Sequence, residues 1–313
     1  MLRDTQILIT GANGFVGRHL CAVLLQKGAK VTEIVRLAEQ SLNRRNTKIE
    51  LDLADRNMVS ETFSALQPDY VIHLAAEKNR VHTSAEFRDS YDRNVLISLN
   101  VIEGCLLLPK FRRLIFLGSC DEYGQVAGPF DEMQREMPVN AYGLSKLAVT
   151  RILSSLYESR RFASVVLRPT VIYGPDQGDE MFLSALIQSL VAQRDFAMTY
   201  GEQCRDFIYI DDVVDAIAKT ILVGEHLNGS VINIGAGISC QIKAIATLVA
   251  DLIHPNAYSH LKFGSISYRP NEAMNYAVNI MRANSLLGWQ PATKLAWGLR
   301  QTINSCREQV GAS

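Results

Sequence analysis

Tyr142 and Lys146 stand four residues apart in Tyr142-Gly143-Leu144-Ser145-Lys146. On a helix this spacing puts a phenol and an ammonium on one face. A free phenol, with a pKa of about 10, is a poor acid–base group at neutral pH. A lysine cation within reach stabilises the phenolate and lowers that value. The tyrosine can then give a proton to a ketone being reduced, or take one from an alcohol being oxidised. The lysine can also hold a ribose. Alone the pair carries little weight, because most such pairs are ordinary helix residues. Ser119 adds to it. It ends the apolar run Leu114-Ile115-Phe116-Leu117-Gly118, and a hydroxyl at a strand's carboxyl end can polarise a substrate oxygen. The same serine would also serve as a turn or cap residue.

A second pattern precedes these residues. Thr10-Gly11-Ala12-Asn13-Gly14-Phe15-Val16-Gly17 follows the apolar run Gln6–Thr10. Gly11 allows a sharp turn, Gly14 a close backbone approach to a pyrophosphate, and Gly17 tight helix–strand packing. The helix that starts here offers free N–H groups and a positive dipole end to phosphates. Gly11, Asn13, Gly14, Phe15, Val16 and Gly17 are therefore expected to bind a dinucleotide.

The end of the second strand selects between NAD(H) and NADP(H). An acid there would bind the adenine ribose. The strand Lys30–Val35 ends instead on Val35-Arg36, with Arg44 and Arg45 in the following loop. Arg36 suits a 2′-phosphate, so NADP(H) is preferred and NAD(H) is the alternative. Arg36 as a solvated loop charge, and Glu33 as the ribose ligand, are the competing readings. Asp52, in Leu51-Asp52-Leu53, can accept from the adenine amino group or cap a helix before Ala54-Asp55.

Apolar runs and helical patterns alternate around these motifs. Strands are expected at Gln6–Thr10, Lys30–Val35, Tyr70–Leu74, Leu114–Gly118 and Ser164–Leu167, and helices at Phe15–Gln26, Asp55–Leu66, Phe87–Leu107 and Ala141–Ser159. This alternation implies an α/β fold with a doubly wound, Rossmann-type parallel sheet. After Tyr173 glycines and a proline break the pattern. Residues 1–173 are read as the dinucleotide-binding domain, and 174–313 mainly as a smaller substrate domain with some segments returning to the sheet.

Bulk properties exclude other classes. The 313 residues carry zero formal net charge, so neither nucleic acid nor a membrane surface is an expected partner. No apolar run is long enough to span a bilayer, and MLRDTQILIT lacks the plan of a signal peptide. Six scattered cysteines without a CxxC pair read as reduced thiols rather than metal ligands, which places the chain in the cytoplasm.

TGANGFVG, FLGSCDEYG, NAYGLSK, LRPTVIYGP and RDFIYIDDVVDA together resemble the extended short-chain dehydrogenase/reductase (epimerase/dehydratase) family, in its nucleotide-sugar branch. The likeness runs from Gln6 to about Trp289. It implies Ser119, Tyr142 and Lys146 as catalytic residues. Leu74, Ala75 and Ala76 would line the cofactor, Asn94 would support the site from its helix, and Pro169 and Thr170 would lie near the nicotinamide. Arg205 of the Arg205-Asp206-Phe207 motif and Arg269 of Tyr268-Arg269-Pro270-Asn271-Glu272 would hold a nucleotide diphosphate. Without the resemblance these arginines would read as surface ion pairs, such as Arg205 with Asp206. Lys78 would touch the sugar or phosphates. A homodimer is implied, through the helices near Asn94–Leu107 and Ala141–Ser159.

Departures narrow the subclass. Sugar 4,6-dehydratases carry a Thr-Asp-Glu run where this chain has Ser119-Cys120-Asp121. An elimination needs an acid for the leaving hydroxyl, and Cys120 stands in its place. Val171-Ile172 lacks the asparagine common in epimerases and dehydratases. The chain looks most like a 4-keto-6-deoxy-sugar reductase, with an NAD-dependent nucleotide-sugar epimerase as the alternative and a 4,6-dehydratase or a non-catalytic dinucleotide sensor ranked below both.

Overall fold

The computed structural model describes residues 2–36, 46–78, 83–269 and 272–311. Arg44 and Arg45 lie outside the described residues, as do Pro270 and Asn271 of the second arginine motif. The first half runs β1 (Gln6–Thr10), α1 (Phe15–Gln26), β2 (Lys30–Val35), β3 (Asn46–Glu50), α2 (Arg56–Leu66), β4 (Tyr70–His73), α3 (Ser84–Ser90), α4 (Ile97–Leu106), β5 (Arg113–Leu117), α5 (Ala141–Arg160) and β6 (Ser164–Pro169). The second half runs β7 (Val171–Tyr173), α6 (Phe182–Val191), β8 (Phe196–Met198), β9 (Cys204–Tyr209), α7 (Ile210–Leu222), β10 (Val231–Ile234), β11 (Ser239–Gln241), α8 (Ile242–Ile253), β12 (Leu261–Phe263), β13 (Asn275–Tyr276), α9 (Met281–Leu287) and α10 (Leu295–Gly311).

Seven strands form one sheet in the order β10-β6-β5-β4-β1-β2-β3. Each neighbouring pair is parallel. The alternation of β1 shows why the sheet is covered on both faces. Ile7 and Ile9 pack with Leu20 and Leu24 of α1, while Leu8 packs with Phe63 of α2 and Val101 of α4. The chain winds outward from β1 through β2 to β3, then crosses back to β4 and winds the other way. This reversal opens a crevice at the carboxyl ends of β1 and β4, where such sheets bind ligands.

After Tyr173 the chain does not stay apart from this sheet. β10 lies beside β6, and α7 contributes Ile217 and Ile221 to the core that covers α1. β7, β9, β11 and β13 form a small second sheet, and β8 pairs with β12. A separate cluster of Cys120, Tyr123, Phe130, Tyr276 and Val278 joins the C-terminal segment to the loop after β5.

The helix expected over Phe87–Leu107 is three pieces. α3 and α4 flank a π-helical stretch, Tyr91–Leu96, which buries Asn94 and Val95. π turns are rare, and they concentrate at functional sites. Among the described residues no helix is long and apolar enough to cross a membrane. All six cysteines are free thiols, and Cys21, Cys105 and Cys120 are buried.

Candidate active site

A cavity of about 1730 Å³ opens at the carboxyl edge of the main sheet. Gly11 turns the chain at φ +70°, and a β-carbon on it would lie 2.7 Å from the Ala75 nitrogen. The turn thus brings the glycine loop against the end of β4, beside Leu74, Ala75 and Ala76. A β-carbon on Gly17 would press within 2.5 Å of the Ala12 carbonyl, which explains the close seating of α1. Gly14 caps α1 without a side-chain hydrogen bond, so the first N–H groups of α1 have no such partner. Asn13, Gly14, Phe15, Val16 and Gly17 all line the cavity.

Arg36, Asp52 and Leu53 line its outer end, where β2 and β3 finish. Glu33 does not. It is 6% exposed and pairs with Lys48 at 3.7 Å, so it cannot serve the ribose. Asp52 is not the helix cap either. Its Oδ1 accepts from the Ala54 N–H at 2.9 Å, and Asp55 caps α2 by accepting from Asn57 and Met58.

Behind the wall runs a chain of buried polar groups. His73 Nδ1 lies 2.6 Å from Thr10 Oγ1, and its Nε2 lies 2.9 Å from Ser98 Oγ. Ser98 Oγ donates to the Asn94 carbonyl at 2.5 Å, so it accepts from Nε2–H and fixes the tautomer. Burial pushes the His73 pKa down to about 3, with Lys146 adding to the effect, and the ring is neutral. Asn94 itself is not part of the cavity lining. Its amide accepts from the Glu77 N–H at 2.7 Å and donates to Ser145 Oγ at 2.9 Å. Ser145 in turn donates to the Tyr142 carbonyl at 2.8 Å. Asn94 therefore joins the loop after β4 to the first turn of α5, and supports the site from behind.

Ser119, Tyr142 and Lys146 meet in the cavity. Asn140 caps α5 by accepting from Gly143 at 2.7 Å, which places Tyr142 in the first turn. Lys146 Nζ lies 5.8 Å from the Tyr142 ring centroid and donates to the Leu117 carbonyl at 2.7 Å. Burial pushes Lys146 down to about 7, Lys78 adds to this, and Glu122 opposes it. Ser119 both lines the cavity and caps the short turn Cys120–Glu122, its Oγ accepting from the Asp121 N–H at 3.1 Å. The two readings of this serine are thus compatible. Pro169 and Thr170 line the cavity beside them.

Lys78, Cys120, Asp121, Arg205 and Arg269 line the remaining wall. Arg205 does not pair with Asp206. Its guanidinium donates to the Ala273 carbonyl at 2.7 Å, pairs with Glu272, and lies 5.5 Å from the Tyr276 ring centroid. Asp206 is fully buried and accepts from Ala236 and Gly237 N–H groups and from Thr170 Oγ1. Burial lifts its carboxyl to about 6. Sequence reasoning missed Glu272 and Tyr276. Tyr276 O–H donates to the Cys120 carbonyl at 2.7 Å, which ties β13 to the loop carrying Ser119. Glu272 was within the quoted arginine motif; Tyr276 carried no local signal.

The cavity suits a dinucleotide. It exceeds a drug-sized pocket of ~1,000 Å³, and its glycine turn and side-chain-free helix N-terminus match a pyrophosphate. Among the described residues no group of three or more His, Cys, Asp or Glu could hold a metal ion.

Comparison with known proteins agrees with this geometry. An uncharacterized UDP-glucose epimerase, YtcB, of Bacillus subtilis is 28% identical over 95% of this chain and 96% of its own. A CDP-abequose synthase of Salmonella muenchen is 25% identical over 96% of this chain and 98% of its own. The structure of MoeE5 with UDP-glucuronic acid and NAD superposes with a TM-score of 0.85 at 27% identity, covering 97% of this chain and 99% of that one. The sequence model of the NAD dependent epimerase/dehydratase family matches residues 7–235. The glycine turn, the strand-end serine and the tyrosine–lysine pair therefore belong to an enzyme of the NAD dependent epimerase/dehydratase family, with the extended short-chain dehydrogenase/reductase fold.

Proposed function

We propose that this chain reduces the 4-keto group of a nucleotide-linked 4-keto-6-deoxyhexose with NADPH. One observation carries the reading. Among the described residues, the end of β2 offers the cavity the Arg36 guanidinium and no carboxylate, because Glu33 is turned away and paired with Lys48. A guanidinium suits a 2′-phosphate, and an NADP pool supplies net reductions.

The nicotinamide supplies the hydride when bound. Tyr142 gives its phenolic proton to the carbonyl oxygen as charge develops there. The Lys146 ammonium stabilises the phenolate and holds the ribose. Ser119 donates a hydrogen bond to the same oxygen and orients it. Gly11, Asn13, Gly14, Phe15, Val16 and Gly17 hold the pyrophosphate, Asp52 and Leu53 the adenine, and Leu74, Ala75, Ala76, Pro169 and Thr170 the nicotinamide half. Lys78, Cys120, Asp121, Arg205 and Arg269 face the sugar diphosphate. Cys120 argues against elimination, since a thiol is a far weaker acid than the carboxyl such a step uses, and Val171-Ile172 lacks the amide with which many epimerases and dehydratases contact their substrate. Residues 1–173 supply the cofactor half and 174–313 most of the substrate half. Two copies pair through α4 and α5.

A second reading is an NAD-dependent nucleotide-sugar epimerase. The Bacillus subtilis relative named as a UDP-glucose epimerase, and MoeE5 with bound NAD, favour it. The test mixes protein with NADPH or NADH and a dTDP- or GDP-linked 4-keto-6-deoxyglucose, and follows the reduced-nicotinamide absorbance. Consumption of NADPH that needs the keto sugar supports the reductase. No consumption, with NAD carried through purification, supports the epimerase.

A further inference from the structure

Glu122 stands behind Ser119. It is fully buried, on the turn that follows β5. Its two oxygens have separate partners. Oε1 accepts from the Ser119 N–H at 2.9 Å. Oε2 accepts from Thr150 Oγ1 at 2.9 Å and from Arg168 Nε at 2.8 Å. Arg168 is fully buried as well, and its Nη2 reaches Glu136 at 2.7 Å. A carboxylate satisfies all of these donors at once. The site is also shaped for it, because a β-carbon on Gly118 would collide with Glu122 Oε1.

We propose that Glu122 is a positioning residue that fixes Ser119 through one carboxylate oxygen and stabilises the Lys146 ammonium through its charge. The proposal rests on the catalytic roles given above to Ser119 and Lys146. Among the described residues, the following charged and titratable groups bear on Lys146. Lys78 faces it from the loop after β4 and disfavours its charge, as does burial. His73, on β4, is neutral. The Tyr142 ring lies on α5 beside it. Among the described residues, Glu122 is the charged group that favours the cation, alongside the Leu117 carbonyl that accepts from Nζ, and Arg168, on β6, is balanced by both Glu122 and Glu136. With Glu122 in place the Lys146 amine already loses its proton near pH 7; without that charge, between Lys78 and an apolar wall, it would lose it at lower pH still.

Two variants separate the functions. Glu122→Gln keeps an acceptor for Ser119 and removes the charge. Glu122→Asp keeps the charge and withdraws from the Ser119 N–H. The Lys146 titration is read by NMR of ¹³C-lysine-labelled protein without substrate, with Lys146→Met assigning the signal. In Glu122→Gln its midpoint is expected about one pH unit lower. In Glu122→Asp the midpoint stays, while kcat falls by about 10²-fold and the KM for NADPH holds. Should Glu122→Asp fail to fold, Gly118→Ala displaces Oε1 from Ser119 and is expected to show the same kcat loss. Thr150→Val removes a donor to Oε2 and is expected to keep the wild-type midpoint.

A Glu122→Gln midpoint equal to wild type overturns the electrostatic function, as does the same shift in Thr150→Val. Wild-type kcat in both Glu122→Asp and Gly118→Ala overturns the positioning function. Because the titration needs no turnover, a protein that reduces no keto sugar contradicts the proposed reaction and still tests the effect on Lys146.

Discussion

The proposed mechanism needs Lys146 as a cation in a place that disfavours charge. Burial and Lys78 bring its pKa to about 7. The ammonium is present below that value and lost above it. If the cation supports Tyr142, kcat/KM for keto-sugar reduction is highest below pH 7 and falls as pH rises through about 7. A profile flat to pH 9 would exclude the lysine from that role. Tyr142→Phe removes the proton donor and leaves the ring. Its turnover is expected to drop by ~10²–10⁴-fold, with cofactor affinity measured by fluorescence titration nearly unchanged. Arg36→Ala is expected to raise the KM for NADPH by ~10-fold or more and to leave that for NADH alone, since a charge-assisted hydrogen bond is worth ~1.5–3 kcal/mol. Equal effects on both cofactors would make Arg36 a stacking residue. These groups were legible in the sequence because their chemistry rests on short spacing. Tyr276 was not, because its partner Cys120 is 156 positions away.

At the scale of elements, the glycine turn, α1 and β1 follow from local pattern, and the sequence-derived bounds of Phe15–Gln26 match the helix. The helix over Phe87–Leu107 shows where a period fails. Its π stretch answers to Asn94, whose partners Glu77 and Ser145 lie on other elements. The cap of α2 differs for a similar reason, since Asp52 and Asp55 are equally good caps by type and only the backbone path chooses. His73 links three of these elements, and its burial has a thermodynamic consequence. Its folded pKa of about 3 lies below the unfolded 6.5. Between these values the unfolded chain binds more protons, so stability rises with pH and is lost as pH falls, by ~1.4 kcal/mol per unit. Asp206, lifted from 3.8 to about 6, has the opposite sign, because its folded form holds the proton more tightly in that window. The two contributions separate in a comparison of variants. The fall of Tm between pH 6.5 and 5 is expected to be shallower in His73→Asn than in wild type. Equal slopes would remove His73 from the acid limb.

At the scale of the molecule, the sheet order brings together residues that the chain keeps apart. Crossing back from β3 to β4 sets Gly11 against Ala75, and β5 and α5 then deliver Ser119, Tyr142 and Lys146 to the same edge. The alternation of strands and helices made this much legible. The return of β10 to the sheet was less so, because glycines at 229, 235 and 237 interrupt the pattern around a four-residue strand. The outer faces of the helices raise the last question. Leu96 at the start of α4, Leu106 and Leu107 at its end, and Leu144 on α5 are 41%, 44%, 57% and 46% exposed. Their inner neighbours Val101, Ile102, Val149 and Leu153 already fill the sheet-facing core. Helices that only covered the sheet would have no need of apolar side chains on the outside as well. The proposed pairing of two copies would cover them, and since each is already about half buried, full cover is worth about half of the ~1.5–3 kcal/mol of a whole leucine. Light scattering on the purified protein is expected to give the mass of two chains, and Leu106→Glu with Leu144→Glu is expected to give one. A single-chain mass for the wild type would mean that α4 and α5 only cover the sheet. The active site would then be complete within one copy, and the leucines would have to be explained by some other contact.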